Sequence, residues 1–372
     1  MINQVNGLEV LFNLALNMFK IHIPKYFTAA VLFRTNSELK LINLKVPKLQ
    51  AGQVLVKIFY SGICKSQIME IFGGRETKKW LPHLLGHEAS GKVIQVGKNV
   101  KKVKPNDDVI LTWIKSSGNN AKSPNFFYKK KKINAGKVTT FSNYSVVSEN
   151  RLVIKPKKLN FKDSIFFGCA FPTGAGMVLN EVKILKNDKV VLIGLGAVGL
   201  GTLLALKKQK IKNIVVIDKN EKRLNLANKL GVKYLFNSIN DSTKNKIYKI
   251  FKNGANICFE SAGLTKTIEF GMKIINNTGK VHFASHPNHK HFLNIKPHDL
   301  IKGKRISGSW GGGSKPDKDI KKFTSILKKN HFKFEHLHSK IYSLEEINLA
   351  VRDFRRNLVF RPIIKMDHTT QY

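Results

Sequence analysis

Residues 190–199 read VVLIGLGAVG, an apolar run followed by glycines spaced as G-x-G-x-x-G. Such a run predicts a buried strand, and the apolar pattern of the next segment predicts a helix. In that context Gly194 allows a tight turn, Gly196 lets the backbone approach a pyrophosphate, and Gly199 lets the helix contact the strand. The free N–H groups of the helix N-terminus would attract the phosphates. The stretch therefore predicts a dinucleotide-binding site, and a glycine-rich turn without a ligand is the alternative.

A carboxylate stands where such a site needs one. Asp218 ends a second apolar run, NIVVID, 19 residues after Gly199. There it is expected to bind the ribose hydroxyls of the adenosine and to repel a 2′-phosphate, which favours NAD over NADP. Lys219 and Arg223 are close in sequence and would weaken this preference, and Arg223 is counted among the predicted cofactor-binding residues.

The strand pattern changes along the chain. From residue 28 to residue 59 short runs alternate apolar and polar residues, and this texture continues to about Pro156, which predicts a small antiparallel β domain. After Lys186 apolar runs alternate with helical stretches, which predicts βαβ units and a parallel sheet. The expected architecture is a β-rich half followed by an α/β half, with a C-terminal tail that the pattern does not place.

Length and composition exclude several classes of protein. The chain has 372 residues, which suggests two domains or one large one, and 42% of its residues are hydrophobic. A packed core is therefore expected, not a disordered tail or a collagen-like fibre. Three cysteines cannot staple a chain of this length. Their small number favours a reducing compartment, and we expect a cytoplasmic protein.

No stretch is a credible membrane span. Residues 190–206 form the longest apolar stretch and approach spanning length, but they contain four glycines. The amphipathic patch at residues 8–19 lacks a basic n-region and a small-residue cleavage site, so it is a poor signal peptide. It would be a short added helix, or translation would begin at Met18.

The charge is unusual. The chain has 65 basic and 24 acidic residues, for a formal net charge of +41, which invites a nucleic-acid-binding interpretation. Lysine is abundant together with Asn, Ile and Phe, however, and all four have AT-rich codons. The only dense basic run, Lys129 to Lys132, has no aromatic-interleaved motif or zinc-finger spacing beside it. We therefore favour codon bias as the cause and expect no specific nucleic-acid partner.

Four segments carry a resemblance to a known family. Residues 86–100 contain G-H-E-x2-G-x5-G-x2-V, the signature of the zinc-dependent medium-chain alcohol dehydrogenase family. SGICKS at residues 61–66 and GCAFPTG at residues 168–174 resemble the family's other two zinc-ligand segments. PNDDV at residues 105–109 resembles its P-G-D-x-V turn, with Asn106 in place of glycine, which is tolerated where the backbone is left-handed.

The resemblance runs in order from about Phe27 to Met366 and implies the fold. Members of this family have a GroES-like β-rich catalytic domain and a Rossmann coenzyme domain with a doubly wound parallel sheet, and the C-terminal tail returns to the first domain. The boundaries expected on this basis are an N-terminal extension at 1–26, a GroES-like domain at 27–170, a Rossmann domain at 171–312 and a returning segment at 313–372.

The resemblance also implies a metal site. Cys64, His87 and Cys169 would hold one catalytic zinc as two thiolates and one imidazole, with water or substrate in the fourth position. The metal would polarise the oxygen of an alcohol, and a hydride would pass from the carbinol carbon to NAD. Glu88 would be a neighbour of the ligands or a transient ligand, and Ser66 would carry the alcohol proton towards solvent.

Further roles follow from the same resemblance. Thr173 would border the nicotinamide and Trp113 the substrate. Lys65 and Arg361 would meet the pyrophosphate. The implied reaction is the reversible oxidation of a primary, secondary or polyol- or sugar-derived alcohol to an aldehyde or ketone. Relatives are usually homodimers or homotetramers, so an oligomer is expected.

Three departures from the family limit the comparison. No cysteine lies between Lys115 and Lys137, where the family's structural zinc would be bound, so one zinc per chain is expected. Met69 lies where a relay histidine is usual, so the proton would leave by another route. Gln67 lies where many relatives have an Asp that supports the ligand histidine, so His87 would be held less firmly.

Other candidate groups are weaker. Cys258 lies in a strand-like run and is interpreted as packing. A second metal site is a minority interpretation of four nearby histidines, His282, His286, His289 and His291. His286 is also expected to lie near the substrate. Two rival functions remain: a zinc-free quinone or enoyl reductase of the same superfamily, and a nucleic-acid-binding protein on an enzyme fold.

Overall fold

The computed structural model describes residues 23–76, 78–329, 332, 334 and 340–368. The amphipathic patch at residues 8–19 lies outside this part of the chain. The described residues form a β-rich half and an α/β half. The strands of the first half of the chain are β1 (Tyr26–Leu32), β2 (Lys40–Lys45), β3 (Gln53–Gly62), β4 (His83–Leu84), β5 (Glu88–Val96), β6 (Asp108–Thr112), β7 (Phe126–Tyr128), β8 (Lys131–Ile133), β9 (Tyr144–Ser148) and β10 (Leu152–Ile154).

The second half of the chain contains the remaining strands, and α-helices occur in both halves. The later strands are β11 (Val190–Ile193), β12 (Ile214–Ile217), β13 (Tyr234–Phe236), β14 (Ala255–Glu260), β15 (Ile275–Phe283), β16 (Arg305–Gly308), β17 (Lys340–Tyr342) and β18 (Pro362–Lys365). The α-helices are α1 (Lys65–Ile71), α2 (Phe161–Ser164), α3 (Ala170–Gly176), α4 (Ala197–Lys208), α5 (Glu221–Lys229), α6 (Asp241–Ile250), α7 (Thr265–Ile274), α8 (Pro297–Ile301), α9 (Pro316–Lys329) and α10 (Ile347–Arg355).

The β-rich half is built on a seven-stranded sheet. Its order is β10-β6-β5-β3-β18-β17, with β9 also paired to β3. Side chains of β3 and β5, such as Val54, Val56 and Val93, are fully buried in one cluster. A three-stranded sheet, β2-β1-β4, and the hairpin β7-β8 complete this half. The alternating runs of the sequence thus become strands with one face in the core.

The α/β half contains a parallel six-stranded sheet in the order β13-β12-β11-β14-β15-β16. This is the strand order of the classic dinucleotide-binding fold, and it confirms the predicted Rossmann domain. All four residues of β11 and all four of β12 are buried, since helices cover both faces of the sheet. The apolar stretch that approached membrane length is divided into β11, a glycine turn and α4. No helix in the described residues is long and apolar enough to cross a membrane.

The C-terminal tail has two parts. Helix α9 packs into the core of the α/β half, where Phe323 and Phe171 have ring centroids 6.0 Å apart. Strand β18 then pairs antiparallel with β3 in the catalytic sheet, with Ile364 opposite Ser61. The tail therefore ends beside the segment that leads into Cys64. The exact domain boundaries stay a prediction.

Candidate active site

The three predicted metal ligands converge. Cys64 follows β3 and is the N-cap of α1, His87 lies between β4 and β5, and Cys169 is the N-cap of α3. The two Sγ atoms are 3.9 Å apart, and one ligand atom from each residue lies within 4.8 Å of the others. Two zinc–sulfur bonds of about 2.3 Å at a tetrahedral angle separate the sulfurs by about 3.8 Å. The spacing fits a zinc ion.

The chemistry of the donor atoms also fits a metal. Nε2 of His87 is buried and has no hydrogen-bond partner among the described residues, which is uncommon for a buried nitrogen. The contact with the Cys169 thiol lowers the pKa of Cys64 well below its usual range; burial opposes this shift, and His87 and Arg361 add to it. A low pKa favours the thiolate, the form of cysteine that binds metals.

Glu88 and Arg361 form a buried pair next to the ligands. Oε1 of Glu88 accepts a hydrogen bond from Nη2 of Arg361, and the two side chains are 0% and 3% exposed. Oε2 of Glu88 is also buried and has no hydrogen-bond partner among the described residues. Arg361 further lies over the ring of Phe166. The guanidinium thus neutralises a carboxylate that would otherwise be isolated in the core.

Helix α1 supplies two more polar groups. Oγ of Ser66 is buried without a hydrogen-bond partner among the described residues, so it is available to a ligand. Gln67 accepts a hydrogen bond from the backbone N–H of Gly86, and its Nε2 donates to Oε2 of Glu70 at 3.2 Å. Gln67 therefore holds the backbone that precedes His87. Whether the ring of His87 is held less firmly stays a prediction.

The glycine turn has the geometry that its motif predicts. Gly194 has φ of 88°, and Gly199 is so close to the turn that a Cβ there would lie 2.0 Å from the carbonyl oxygen of Gly194. A Cβ at Gly196 would meet nothing nearer than Nη1 of Arg223 at 4.0 Å. Packing within the protein therefore does not explain the glycine at 196. The open space in front of it suits a phosphate that approaches the backbone.

Asp218 is tied to this turn. Its Oδ2 accepts a hydrogen bond from the backbone N–H of Leu195 at 2.6 Å, and Oδ1 accepts one from Asn220 at 2.9 Å. Nη1 of Arg223 lies 3.5 Å from Oδ2, and the guanidinium stacks on the ring of Phe360. A cation therefore lies directly beside the carboxylate that is predicted to bind the ribose.

Two of the predicted cofactor-binding residues lie close to the candidate metal ligands. Lys65, adjacent to Cys64, donates from Nζ to the backbone oxygen of Ala262 at 2.7 Å, beside the glycine turn. Thr173 is buried on α3, and its Oγ1 donates to the backbone oxygen of Cys169 at 2.8 Å. Lys65 therefore connects the candidate metal ligands to the glycine turn.

Aromatic rings line the outer side of the metal site. The ring centroid of Trp113 is 6.5 Å from that of His87 and 5.0 Å from that of Trp310. The ring centroid of Trp310 is in turn 6.0 Å from that of His286, whose position near the substrate stays a prediction. Trp310 was missed by the sequence analysis. It is a lone aromatic in the glycine-rich stretch SGSWGGG, and no motif marks it.

The other candidate groups have structural roles. His282 lies in β15 and makes hydrogen bonds to Oγ of Ser307 at 2.7 Å and to Oε2 of Glu181 at 2.9 Å. Cys258 is fully buried in β14, and burial raises the pKa of its thiol, as expected for packing. Among the described residues, the one group able to hold a metal is that of Cys64, His87 and Cys169.

The region without the family's four cysteines is organised by hydrogen bonds. The lysine run forms the turn and second strand of the hairpin β7-β8, with Lys129 and Lys130 at φ of 46° and 64°. The carboxylate of Glu149 accepts from the backbone N–H groups of Asn119 at 2.7 Å and Lys101 at 2.9 Å. It also accepts from the backbone N–H of Lys102 at 3.1 Å.

Comparison with protein families agrees with this geometry. The model of the alcohol dehydrogenase GroES-like domain matches residues 50–157, and that of the zinc-binding dehydrogenases matches residues 197–329. Together they cover well over half of the chain. The first match confirms the GroES-like domain that the sequence predicts.

Individual relatives extend over most of the chain. S-(hydroxymethyl)glutathione dehydrogenase of Escherichia coli is 26% identical over 370 residues, which cover 91% of this chain and 99% of that protein. The crystal structure of benzyl alcohol dehydrogenase from Acinetobacter calcoaceticus has a TM-score of 0.82 and 28% identity, and covers 92% of this chain and 100% of its own. An alcohol dehydrogenase zinc-binding domain protein from Burkholderia ambifaria, at 24% identity and a TM-score of 0.83, has the same fold; the alignment covers 92% of this chain and 99% of that one. This chain belongs to the zinc-dependent medium-chain alcohol dehydrogenase family and is an oxidoreductase that acts on CH–OH groups.

Proposed function

We propose that this protein uses one zinc ion and NAD to oxidise an alcohol reversibly to an aldehyde or ketone. The observation that carries the proposal is the convergence of Cys64, His87 and Cys169 next to a lysine that reaches the glycine turn. Lys65 follows one metal ligand directly and reaches the backbone beside Gly194 through Ala262. A substrate bound at the ligands would therefore lie next to the nucleotide.

The three ligands would hold the zinc. Bound zinc would polarise the substrate oxygen and lower the pKa of the alcohol. Ser66, whose buried Oγ lacks a partner among the described residues, would accept the hydroxyl proton and pass it towards solvent. Glu88, next to the ligand His87, would help to orient the ligands, and the charge of its carboxylate would be balanced by Arg361.

The nucleotide would lie along the glycine turn. Gly196 leaves room for the pyrophosphate, and Lys65 and Arg361 are the proposed cations around it. Asp218 would bind the adenosine ribose and favour NAD. Arg223, 3.5 Å from that carboxylate, keeps NADP as the weaker alternative. Thr173 would border the nicotinamide.

The substrate would enter beside Trp113. Relatives are named for benzyl alcohol and for S-(hydroxymethyl)glutathione, so we propose primary alcohols first, with secondary and polyol- or sugar-derived alcohols as further candidates. We also propose a cytoplasmic homodimer or homotetramer. A zinc-free reductase would have no use for the three converging ligands.

Deuterium transfer tests the function directly. Benzyl alcohol deuterated at its carbinol carbon is incubated with the zinc-loaded protein and NAD, and the deuterium in the NADH formed is measured by mass spectrometry. Deuterated NADH, absent when Cys169 is replaced by Ala, is the expected result. NADPH-dependent reduction of a quinone or enone by protein free of zinc would instead support the reductase.

A further inference from the structure

A cavity of about 590 Å³ opens next to Trp113. Trp113 and Trp310 both line it, with their rings nearly perpendicular at 83°. The ring of Trp113 is also 6.5 Å from that of His87, so this tryptophan lies near both the cavity and one of the predicted metal ligands. Trp310 is 68% exposed, so its ring is accessible to a ligand.

The rest of the lining is cationic. Lys115, Lys137 and Arg151 line the same cavity, and its described lining includes no Asp or Glu. None of the three cations forms an ion pair with a carboxylate among the described residues. Lys137 makes one hydrogen bond from Nζ, to the backbone oxygen of Ala121 at 3.1 Å. Three positive charges therefore lie around one space without a counter-charge.

Lysine alone would be weak evidence in this chain, because lysine outnumbers arginine 56 to nine. Arg151 is different. Its Nη1 donates to the backbone oxygen of Trp113, so the guanidinium is held beside that residue. Its Nε is buried and has no hydrogen-bond partner among the described residues. A guanidinium fixed at a cavity wall is suited to bind a planar anion.

We propose that the alcohol substrate carries an anionic group, a carboxylate or a phosphate, and that this cavity binds it. Arg151 and Lys137 are the specificity-determining residues, and the two tryptophans contact an apolar or aromatic spacer between the anion and the hydroxyl group. This inference rests on the proposed function, because it assumes that the hydroxyl lies at Cys64, His87 and Cys169.

Binding of unreactive probes tests the cavity without turnover. Two of the chain's three tryptophans line it, so their fluorescence should report the ligand. Benzoate should quench saturably and bind at least about tenfold more tightly than benzamide, its neutral counterpart, as expected for one charge-assisted contact. Arg151→Gln and Lys137→Gln should each reduce this preference. Lys122→Gln, at an exposed lysine outside the cavity, should keep it. A preference for benzoate that survives both test substitutions, or no preference at all, would overturn the proposal.

Kinetics provide the second arm. The ratio of kcat/KM for 4-(hydroxymethyl)benzoate to that for 4-(hydroxymethyl)benzamide should exceed about ten in the native enzyme. It should fall towards one in Arg151→Gln and in Lys137→Gln, and it should fall as salt is added. Equal rates for the acid and the amide would reject the anion site and leave the alcohol dehydrogenase function intact. If neither these two compounds nor other primary, secondary or polyol-derived alcohols gave NADH, the alcohol dehydrogenase function itself would be contradicted. The fluorescence titration would still decide whether the anion site exists.

Discussion

Cys64 and Cys169 are 105 residues apart in the chain, yet their sulfur atoms are 3.9 Å apart. Cys64 begins the first helix of the β-rich half, and Cys169 begins the helix that leads into the coenzyme domain. A zinc ion bound to both would thus link the catalytic sheet to the nucleotide-binding half. Loss of the metal is then expected to weaken the contact between these two halves as well as to stop the reaction.

Zinc content is the first test. Elemental analysis should find about one zinc per chain, and Cys169→Ala should lose it, because a site with two protein ligands holds zinc poorly. The matched control is Cys258→Ala, at a buried cysteine that lies in β14, away from the three ligands; it should keep the metal. Full zinc occupancy in Cys169→Ala would contradict the site, and two zinc ions per chain would show that a second site exists.

Much of the fold was predictable from sequence because its signals are local. The glycine turn, the alternating strands and the left-handed Asn106, which has φ of 73°, are each encoded within a few consecutive residues. The three ligands were predictable because each lies within its own family motif. Arg151 and Trp310 were not, since their meeting at one cavity depends on how distant loops pack, and neither lies in a motif. The roles of the individual site residues stay predictions.

Ser66→Ala tests the proton path. The substitution removes one buried hydroxyl and leaves the metal ligands and the glycine turn unchanged. Turnover should fall by roughly two to four orders of magnitude, the usual range for a positioned proton-transfer group. Zinc content and NAD affinity should barely change. Ser325→Ala, at an exposed serine on α9, is the control. Native turnover in Ser66→Ala would mean that the proton leaves by another route.

The third prediction concerns Asp218 and the choice between NAD and NADP. Asp218→Gly should weaken the binding of NAD and strengthen the binding of NADP, because the ribose contact and the repulsion of a 2′-phosphate disappear together. The carboxylate also accepts the N–H of Leu195, so Asp218→Asn is the second variant, since it removes the charge and keeps an acceptor. The ratio of kcat/KM for NADP to that for NAD should rise about tenfold or more in both. If the native enzyme already preferred NADP, the charge of Arg223 would outweigh that of Asp218 in cofactor binding.

Glu149 leads to the last prediction, which concerns stability. Its carboxylate accepts hydrogen bonds from the backbone N–H groups of Asn119, Lys101 and Lys102, and so joins the segment that would contain the structural zinc in relatives, where Asn119 lies, to the preceding loop. Burial alone would raise the pKa of Glu149, but these hydrogen bonds lower it below its usual range. The charged form is therefore favoured in the folded state. Its contribution to stability is present above the unfolded pKa of about 4.3 and is lost as the pH falls through the lower folded pKa.

Glu149→Gln should accordingly destabilise the protein most at neutral pH. The amide cannot accept all three hydrogen bonds, so the free energy of unfolding at pH 7 should fall by about 1–3 kcal/mol. The difference from the native protein should shrink as the pH falls from about 4.3, where the carboxyl of the unfolded state becomes protonated, to the lower pKa of the folded state. Urea unfolding across this range measures it, and Glu345→Gln, at an exposed glutamate, is the control because it should change little at any pH. A difference that stays constant with pH would show that Glu149 acts through packing rather than through its charge.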